Sequence, residues 1–221
     1  MKVNFLTVTA LGSFIYCVAG YTLARADMLS EDIIAKAPPI TFTGPAVPGG
    51  PDVTITGTVE VIFKKLHEMN PKYDAWEFPE YQEKMAQRGL SKNSALEARG
   101  GKLEKRRRIE CNIAGEKVPN WLTQCGEGAG YLRRMNGYCG APKGYAGPAC
   151  ARVSCSNSCG IFLCHEHKKP IKVPCSSLGY DFYEIVHECA DVIRDWVVSL
   201  KGTIFRNGPP AYNTVVKFQN C

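Results

Sequence analysis

The stretch CARVSCSNSCGIFLC, residues 150–164, contains four cysteines and two short runs that favour β-strands. The runs are residues 152–156, RVSCS, and residues 160–164, GIFLC. Valine, isoleucine and phenylalanine fit the pleated, half-buried surface of a sheet, so each run is predicted to form a strand. The stretch therefore predicts strands within a cysteine-rich fold.

A long amphipathic helix is predicted after these strands. In residues 176–196, SSLGYDFYEIVHECADVIRDW, apolar side chains recur every three or four positions over about five turns. Cys189 falls on the apolar face, which predicts that a disulfide fastens this helix to a sheet. Residues 197–205 and 212–221 suit the two strands of a hairpin around residues 207–210.

This order of elements predicts an α+β fold, in which one or two helices cover a small, disulfide-rich antiparallel sheet as an α/β sandwich. A partly helical segment would precede the sheet. Residues 58–70 have the apolar spacing of a helix, and residues 79–88 begin with proline and end before a glycine. The Pro/Gly-rich residues 27–57 have no helical period and are predicted to be a flexible lead.

The cysteine count indicates an oxidising compartment. Of the eleven cysteines, all except Cys17 lie in residues 111–221. An even set at this density is typical of a framework of up to five disulfides, whose pairing the sequence leaves open. A zinc site is the alternative, but the paired C-x-x-C spacing is absent, so neither a metal nor a cofactor is expected. The predicted disulfide set is Cys111, Cys125, Cys139, Cys150, Cys155, Cys159, Cys164, Cys175, Cys189 and Cys221.

Residues 1–26 have the pattern of a secretory signal peptide. Lys2 supplies the positive start, residues 5–19 form an apolar core, and Ala24-Arg25-Ala26 offers small residues for cleavage before Asp27. The alternative, a membrane anchor, would need about 20 apolar residues. We therefore expect a secreted, extracellular protein, a monomer with no stable membrane insertion.

A run of four basic residues ends the cysteine-free residues 27–108. Dibasic pairs in an exposed joint are cut by the subtilisin-like processing proteases of the secretory pathway. We therefore predict a pro-segment over residues 27–108 and a mature chain over residues 109–221. The alternatives are a solvated charge run or a basic patch for a membrane or nucleic acid. No nucleic acid is expected, because the net charge is only +6 and the other basic residues are spread out. The run is Lys105, Arg106, Arg107 and Arg108.

Catalytic motifs are absent from the sequence: it has no nucleophile elbow, no phosphate-binding loop and no HExxH pair. His165 and His167 flank Glu166, and His187 has carboxylates nearby in the predicted helix. Such pairs can perform acid–base chemistry, for example on RNA, which leaves a small ribonuclease-like hydrolase as an alternative. The sequence favours a binding protein and not an enzyme.

Aromatic and basic side chains near the predicted strands are candidate contacts for a target. The partner would be a host or competitor protein or a surface glycan. A cell-wall-associated structural protein is a further alternative. The candidate residues are Tyr131, Arg133, Arg134, Lys168, Lys169 and Lys172.

The spacing GPxCxRVSCSxxxxIxxC, residues 147–164, resembles the cysteine-rich small secreted proteins of filamentous fungi, which are discussed as candidate effectors. The resemblance covers residues 111–221 and continues with a helix carrying one cysteine and a last strand ending in Cys221. More distantly, the chain is similar to the killer toxins of smut fungi, which are disulfide-bonded α/β sandwiches. The resemblance implies an effector or toxin-like function. The chain departs from the pattern at His165, where asparagine is common, and at the additional Cys159.

Overall fold

The computed structural model describes residues 31–87, 107–144, 147–193 and 196–221; at positions 107, 192, 193 and 196–198 it describes only the backbone. The predicted signal peptide lies outside these residues, as do Lys105 and Arg106 of the basic run.

Helices and strands are interspersed along the described chain. The helices are α1 Glu31–Ala35, α2 Val59–Met69, α3 Pro79–Gln87, α4 Trp121–Gln124, α5 Gly126–Arg133 and α6 Cys175–Cys189, with a 3₁₀ turn at Ala75–Glu77. The strands are β1 Ile40–Pro45, β2 Asp52–Gly57, β3 Arg107–Glu110, β4 Val118–Pro119, β5 Tyr138–Ala141, β6 Ala149–Ser156, β7 Cys159–His165, β8 Ile171–Pro174, β9 Asp191–Ile193, β10 Trp196–Leu200, β11 Gly202–Arg206 and β12 Tyr212–Phe218.

The strands form three antiparallel sheets. The largest has the order β3-β11-β12-β7-β6, a four-stranded sheet has the order β2-β1-β5-β8, and a small one has the order β4-β10-β9. Helix α6 packs beside α5 and against strands of the largest sheet. The α+β class is therefore confirmed, and the helices α1 to α3 confirm that a partly helical segment comes first.

Several local predictions are confirmed by the strand pairing. The two runs within residues 150–164 form the antiparallel hairpin β6–β7. Strands β11 and β12 pair on either side of residues 207–210, as the turn sequence predicts. The two N-terminal helical patterns become α2 and α3, and Pro79 is the first residue of α3.

The long helix is shorter than its apolar pattern indicates. It ends at Cys189, and Ala190 already has an extended backbone. The rest of the predicted helix forms β9 and the start of β10. Valine and isoleucine are frequent in residues 191–198, and their β-branched side chains favour strands. The prediction of helix beyond residue 189 is therefore wrong.

The prediction of a flexible lead over residues 27–57 is wrong from residue 31 onward. Strands β1 and β2 form a regular antiparallel hairpin in this region. Ile40 and Phe42 are fully buried, while the threonines next to them point to the other face. The Pro/Gly-rich stretch forms the turn of this hairpin, where Gly49 has a φ of +71° that suits glycine.

All ten predicted cysteines form disulfides, which confirms the expected framework. Cys139 joins β5 to the first residue of α6, Cys175, and Cys111 joins the end of β3 to the last residue of α6, Cys189. Helix α6 is thus fastened to a different sheet at each end. The five pairs are Cys111–Cys189, Cys125–Cys159, Cys139–Cys175, Cys150–Cys164 and Cys155–Cys221.

Candidate functional site

The candidate contacts on α5 face the protein's own N-terminal segment, which we define as residues 31–87. The ring of Tyr131 stacks on the ring of Phe63 in α2, with 4.4 Å between centroids and 23° between planes. The guanidinium of Arg134 lies 4.8 Å from the centre of the same ring. The Tyr131 hydroxyl donates a hydrogen bond to Glu127, which raises the pKa of Tyr131. The side chains of Tyr131 and Arg134 are therefore engaged in contacts within the molecule.

Arg133 is also engaged by neighbouring aromatic residues. Its guanidinium lies 5.2 Å from the ring centre of Tyr180 and 4.9 Å from that of Tyr183, both on α6. Its backbone carbonyl accepts a hydrogen bond of 2.8 Å from the hydroxyl of Tyr81 in the N-terminal segment. Arg133 thus joins α5, α6 and the N-terminal segment, which is a packing role.

The three candidate lysines are exposed. Lys168 and Lys169 lie in the turn before β8, and Lys172 lies within β8. The ammonium group of Lys172 donates a hydrogen bond of 3.2 Å to the hydroxyl of Thr43, across the outer face of the four-stranded sheet. Of the six candidate residues, the lysines are therefore the ones that solvent and a ligand can reach most freely.

The outer face of the four-stranded sheet carries a regular set of polar side chains, which we call the threonine face. Strand alternation places these side chains outward, while Phe42, Ile55, Cys139 and Val173 point into the core. The threonine face consists of Thr41, Thr43, Thr54, Thr56, Tyr138 and Lys172.

The strand register arranges the threonine face in two rows. In one row Thr56, Thr41, Gly140 and Lys172 are direct cross-strand neighbours. In the other row Thr54 and Thr43 lie beside Tyr138. The hydroxyls of Thr41 and Thr56 are 3.2 Å apart and hydrogen-bonded. Because neighbouring strands are about 4.8 Å apart, the threonines of each row follow one another at about this interval across the sheet.

Tyr138 is the exposed aromatic residue in the middle of this face. Its relative exposure is 49%, which is high for a large side chain within a sheet. The ammonium group of Lys84 in α3 lies 5.9 Å from the ring centre, a cation–π distance. The carboxylate of Glu80, one turn earlier in α3, accepts a hydrogen bond of 3.0 Å from Asn136. The ring is therefore accessible and has a cation beside it.

The three candidate histidines are engaged in structural contacts. His165 is buried, its Nδ1 accepts from the backbone N–H of His167 at 3.0 Å, and its Nε2 therefore donates to the carbonyl of Pro142 at 2.8 Å. Burial lowers the pKa of His165, so the ring is neutral. His167 lies 2.8 Å from the Ala211 carbonyl, and His187 pairs with Glu188 at the exposed end of α6. Of the three, His165 is the one whose two ring nitrogens are both committed to the backbone, whereas the side chain of His187 is 67% exposed.

A buried carboxylate on α6 was not anticipated from the sequence. Asp181 is 0% exposed and accepts hydrogen bonds from Arg206 Nε at 2.8 Å and from Thr214 Oγ1 at 2.7 Å. Burial raises the pKa of Asp181, while Arg206 and Thr214 act in the opposite direction. The signal was present in the helix period, because position 181 shares the apolar face with Leu178 and Ile185. The contacts tie α6 to the largest sheet.

The described parts of the chain contain neither a candidate metal site nor a candidate membrane span. Within residues 31–87, 107–144, 147–193 and 196–221, no group of three or more histidine, cysteine, aspartate or glutamate side chains is placed to hold a metal ion. In the same residues, every helix is too short or too polar to cross a membrane.

Comparisons of the chain with protein-family models, with curated proteins and with solved structures found no match. The resemblance to fungal effectors and killer toxins therefore remains a prediction.

Proposed function

We propose that the protein is a secreted, proteolytically matured binding protein of the effector or toxin-like kind, and that it binds an acidic polysaccharide of a host or competitor surface. The threonine face would be the binding surface. The observation that carries this proposal is the exposed ring of Tyr138 beside an ordered array of threonine hydroxyls.

The chemistry of this face suits an extended sugar chain. A tyrosine ring offers a flat apolar surface for the C–H groups of a sugar ring, and its hydroxyl can still bond to water or ligand. Each threonine hydroxyl can donate one hydrogen bond and accept two, which matches the many hydroxyls of a polysaccharide. The paired strands of the sheet hold these groups in place before binding, so little conformational entropy is lost when the ligand binds.

The charges around Tyr138 favour an acidic ligand over a neutral one. Lys84 and Lys172 lie at the ring and on the adjacent strand, and Lys168 and Lys169 extend the positive edge beyond β8. Glu80 is engaged with Asn136. The exposed carboxylate of Asp52 shares the face of Thr54 and Thr56 but lies on the edge strand β2, two strands away from Tyr138. Ammonium groups in this arrangement attract the carboxylates of uronic acids, and salt would weaken that attraction.

A binding role also agrees better with the contacts of His165 than a hydrolase does. Both ring nitrogens of His165 are committed to the backbone, and a general base must be free to reach the proton it removes. A permanently wall-associated role would use the same ligand, but such a protein would not be released by soluble oligosaccharide.

Sedimentation with insoluble polysaccharides tests the proposal. The probes are polygalacturonate coupled to beads, chitin, and an insoluble neutral β-glucan, with soluble oligogalacturonide as competitor. We expect retention on polygalacturonate, release by the competitor, and at least tenfold weaker retention for Tyr138→Ala. Leu122→Ala is the matched control, because Leu122 is an exposed apolar residue, 66% exposed, on α4 and away from the sheet.

Three results would overturn the proposal or part of it. If the wild-type protein bound none of the three polysaccharides, the proposal of a polysaccharide ligand would be wrong. Equal retention by Tyr138→Ala and wild type would remove the threonine face as the site. Equal binding to the neutral glucan and to polygalacturonate would remove the preference for an acidic chain.

A further inference from the structure

We infer that cleavage at the basic run does not release the C-terminal part as a free domain, and that the N-terminal segment stays bound to it as a second, non-covalently attached chain. This inference rests on the proteolytic maturation that we propose above. It is supported by three kinds of contact between the N-terminal segment and the C-terminal part: the segment pairs within a shared sheet, packs into a shared hydrophobic core and forms hydrogen bonds with the C-terminal part.

Strand β1 of the N-terminal segment lies in the interior of the four-stranded sheet. It pairs with β2 on one side and with β5 of the C-terminal part on the other, where Phe42 faces Cys139. Departure of the segment would remove two of the four strands and leave the edge of β5 unpaired. Unpaired edges bind other strands readily, so this edge needs a partner in the stable protein.

The connection before β1 adds a second backbone contact. The amide of Arg152 in β6 donates to the carbonyl of Pro38 at 2.7 Å, and its guanidinium donates to the carbonyl of Ala37 at 3.2 Å. Pro39 and Arg152 form a parallel bridge. The N-terminal segment therefore contacts two different sheets through its backbone.

The apolar side chains of the segment belong to the same core as those of the C-terminal part. Phe42, Ile62 and Phe78 are all 0% exposed. They lie in one hydrophobic cluster with Leu132 and Phe182 of the C-terminal part. An interface of this kind resembles a domain core divided in two, which is typical of obligate complexes and not of transient ones.

Polar contacts at the end of α5 fix the segment in one position. The hydroxyl of Tyr73 accepts from the amide of Asn136 at 3.0 Å, and the amide of Ala75 donates to the carbonyl of Arg134 at 3.0 Å. These bonds join the connection between α2 and α3 to the connection between α5 and β5. If the segment departed, the amide of Asn136 and the carbonyl of Arg134 would each lose this hydrogen-bond partner.

A buried cation also depends on the segment. The side chain of Lys217 in β12 is 2% exposed, and its ammonium group pairs with the carboxylate of Glu31 in α1. The side chain of Glu31 is itself 62% exposed, but its departure would leave the buried ammonium group of Lys217 without this counter-charge, which is unfavourable for the C-terminal part.

The link between the two parts is nevertheless non-covalent once the chain is cut. All five disulfides lie within residues 111–221, and residues 27–110 contain no cysteine. The cut protein would behave as one particle under native conditions and separate into two chains in denaturant. The threonine face would need both chains, because its threonines come from β1 and β2 whereas Tyr138 and Lys172 come from β5 and β8.

The test uses a defined cut that does not require natural processing. In residues 27–221, Arg106→Ala and Arg108→Ala remove the dibasic sites, and a recognition sequence for a site-specific protease is inserted after Gly100. After complete cleavage, native mass spectrometry and gel filtration are performed at 1 μM protein. We expect both chains in one particle that elutes with the uncut protein, and two separate chains in guanidinium.

Elution of the two chains as separate species at this concentration would overturn the inference. A matched pair of variants tests how strongly the buried side of α2 holds the two chains together. Ile62→Ala changes that buried side, and Val61→Ala changes a neighbouring residue that is 45% exposed. We expect Ile62→Ala to dissociate at least tenfold faster after cleavage and Val61→Ala to match wild type. Polysaccharide binding does not enter this experiment, so its failure is separate from failure of the proposed ligand.

Discussion

The ring of Tyr131 stacks on the ring of Phe63, with 4.4 Å between their centroids. A side chain that the sequence indicates as a contact for a target is thus covered by an element 68 positions earlier in the same chain. The same holds for Arg134, whose guanidinium lies over the Phe63 ring. The N-terminal segment therefore packs on the part of α5 that the sequence indicates as a candidate contact surface.

Replacement of Phe63 should destabilise the protein strongly. Phe63 is 6% exposed, and loss of a buried phenylalanine side chain costs about 3–5 kcal/mol of the free energy of unfolding. Guanidinium unfolding followed by tryptophan fluorescence measures the effect of Phe63→Ala. Val61→Ala in the same helix serves as the control and should change the free energy by about 0.5 kcal/mol or less. A loss below about 1 kcal/mol for Phe63→Ala would contradict the packing role of this residue.

Asp181→Asn should also be strongly destabilising, for an electrostatic reason. It removes one of the two buried carboxylates that face the guanidinium of Arg206, which is 15% exposed, and leaves only the carboxylate of Glu184 at 3.4 Å. Breaking a buried ion pair on one side costs about 3–5 kcal/mol, whereas replacing both partners with apolar residues can be nearly neutral. Because Glu184, which is 3% exposed, also faces Arg206, the apolar replacement must include it, and the triple variant Asp181→Leu/Glu184→Met/Arg206→Met should therefore unfold at a higher denaturant concentration than Asp181→Asn.

Glu188→Gln is the control for this pair, because Glu188 is half-exposed on the same helix. It should leave the unfolding midpoint almost unchanged. If Asp181→Asn behaved like Glu188→Gln, the buried pair would have no measurable role in stability.

The five disulfides should differ in their effect according to the loop that each closes. Cys111–Cys189 spans 78 positions and Cys150–Cys164 spans 14. The chain-entropy relation gives a loss of about 4.5 kcal/mol for removing the first and about 3 kcal/mol for removing the second. Guanidinium unfolding of the two double alanine variants measures the difference. The opposite order would mean that strain or residual structure outweighs loop entropy at these bridges.

Local sequence patterns predicted the elements whose neighbours along the chain are also their neighbours in space. The hairpins β6–β7 and β11–β12 are of this kind, and so are α2 and α3. The prediction was wrong where two patterns compete, as in residues 190–196, whose helical spacing is overridden by β-branched side chains. The hairpin β1–β2 shows alternation in TFT and TIT, but its Pro/Gly-rich turn gave the impression of a flexible lead.

The candidate site could not be predicted because it joins distant parts of the chain. Thr43 and Tyr138 are direct cross-strand neighbours, although 95 positions separate them in the sequence. A single sequence contains no pattern that pairs these two strands. The T-x-T alternation indicates only that the threonines lie on one face, and the exposed lysines are predicted only from their charge and their position after the histidine turn.

Protonation of His165 should make the protein less stable in mildly acidic solution. Burial lowers the pKa of His165 in the folded state, so the unfolded chain, with an ordinary histidine pKa of about 6.5, binds the proton more readily. The stability contributed by the neutral ring is present above pH about 6.5 and is lost as the pH falls toward the folded-state pKa. The free energy of unfolding, measured from pH 7.5 down to pH 5, should therefore decrease.

His165→Gln should flatten this pH profile, because glutamine does not titrate. His187→Gln is the control: His187 is exposed at the end of α6, so its replacement should leave the shape of the profile unchanged. Identical pH profiles for wild type and His165→Gln would show that another group causes the dependence.

Cleavage at the basic run should occur after Arg106 and give a C-terminal chain that begins at Arg107, not at residue 109. Strand β3 begins at Arg107 and pairs with β11, where Arg108 faces Phe205. The guanidinium of Arg108 lies 4.4 Å from the Phe205 ring centre and pairs with Glu110 at 2.7 Å. A protease binds its substrate as an extended strand, so a cut after Arg108 would first require these residues to leave the sheet.

N-terminal sequencing and intact mass of the protein secreted from a eukaryotic host distinguish the two positions. Arg106→Ala should abolish cleavage, while Arg108→Ala should leave it unchanged and lower stability only slightly, because its ion pair with Glu110 is largely exposed. A C-terminal chain beginning at Ile109 would mean that the protease acts before β3 joins the sheet. Cleavage would then precede folding, and the two chains would have to assemble after the cut.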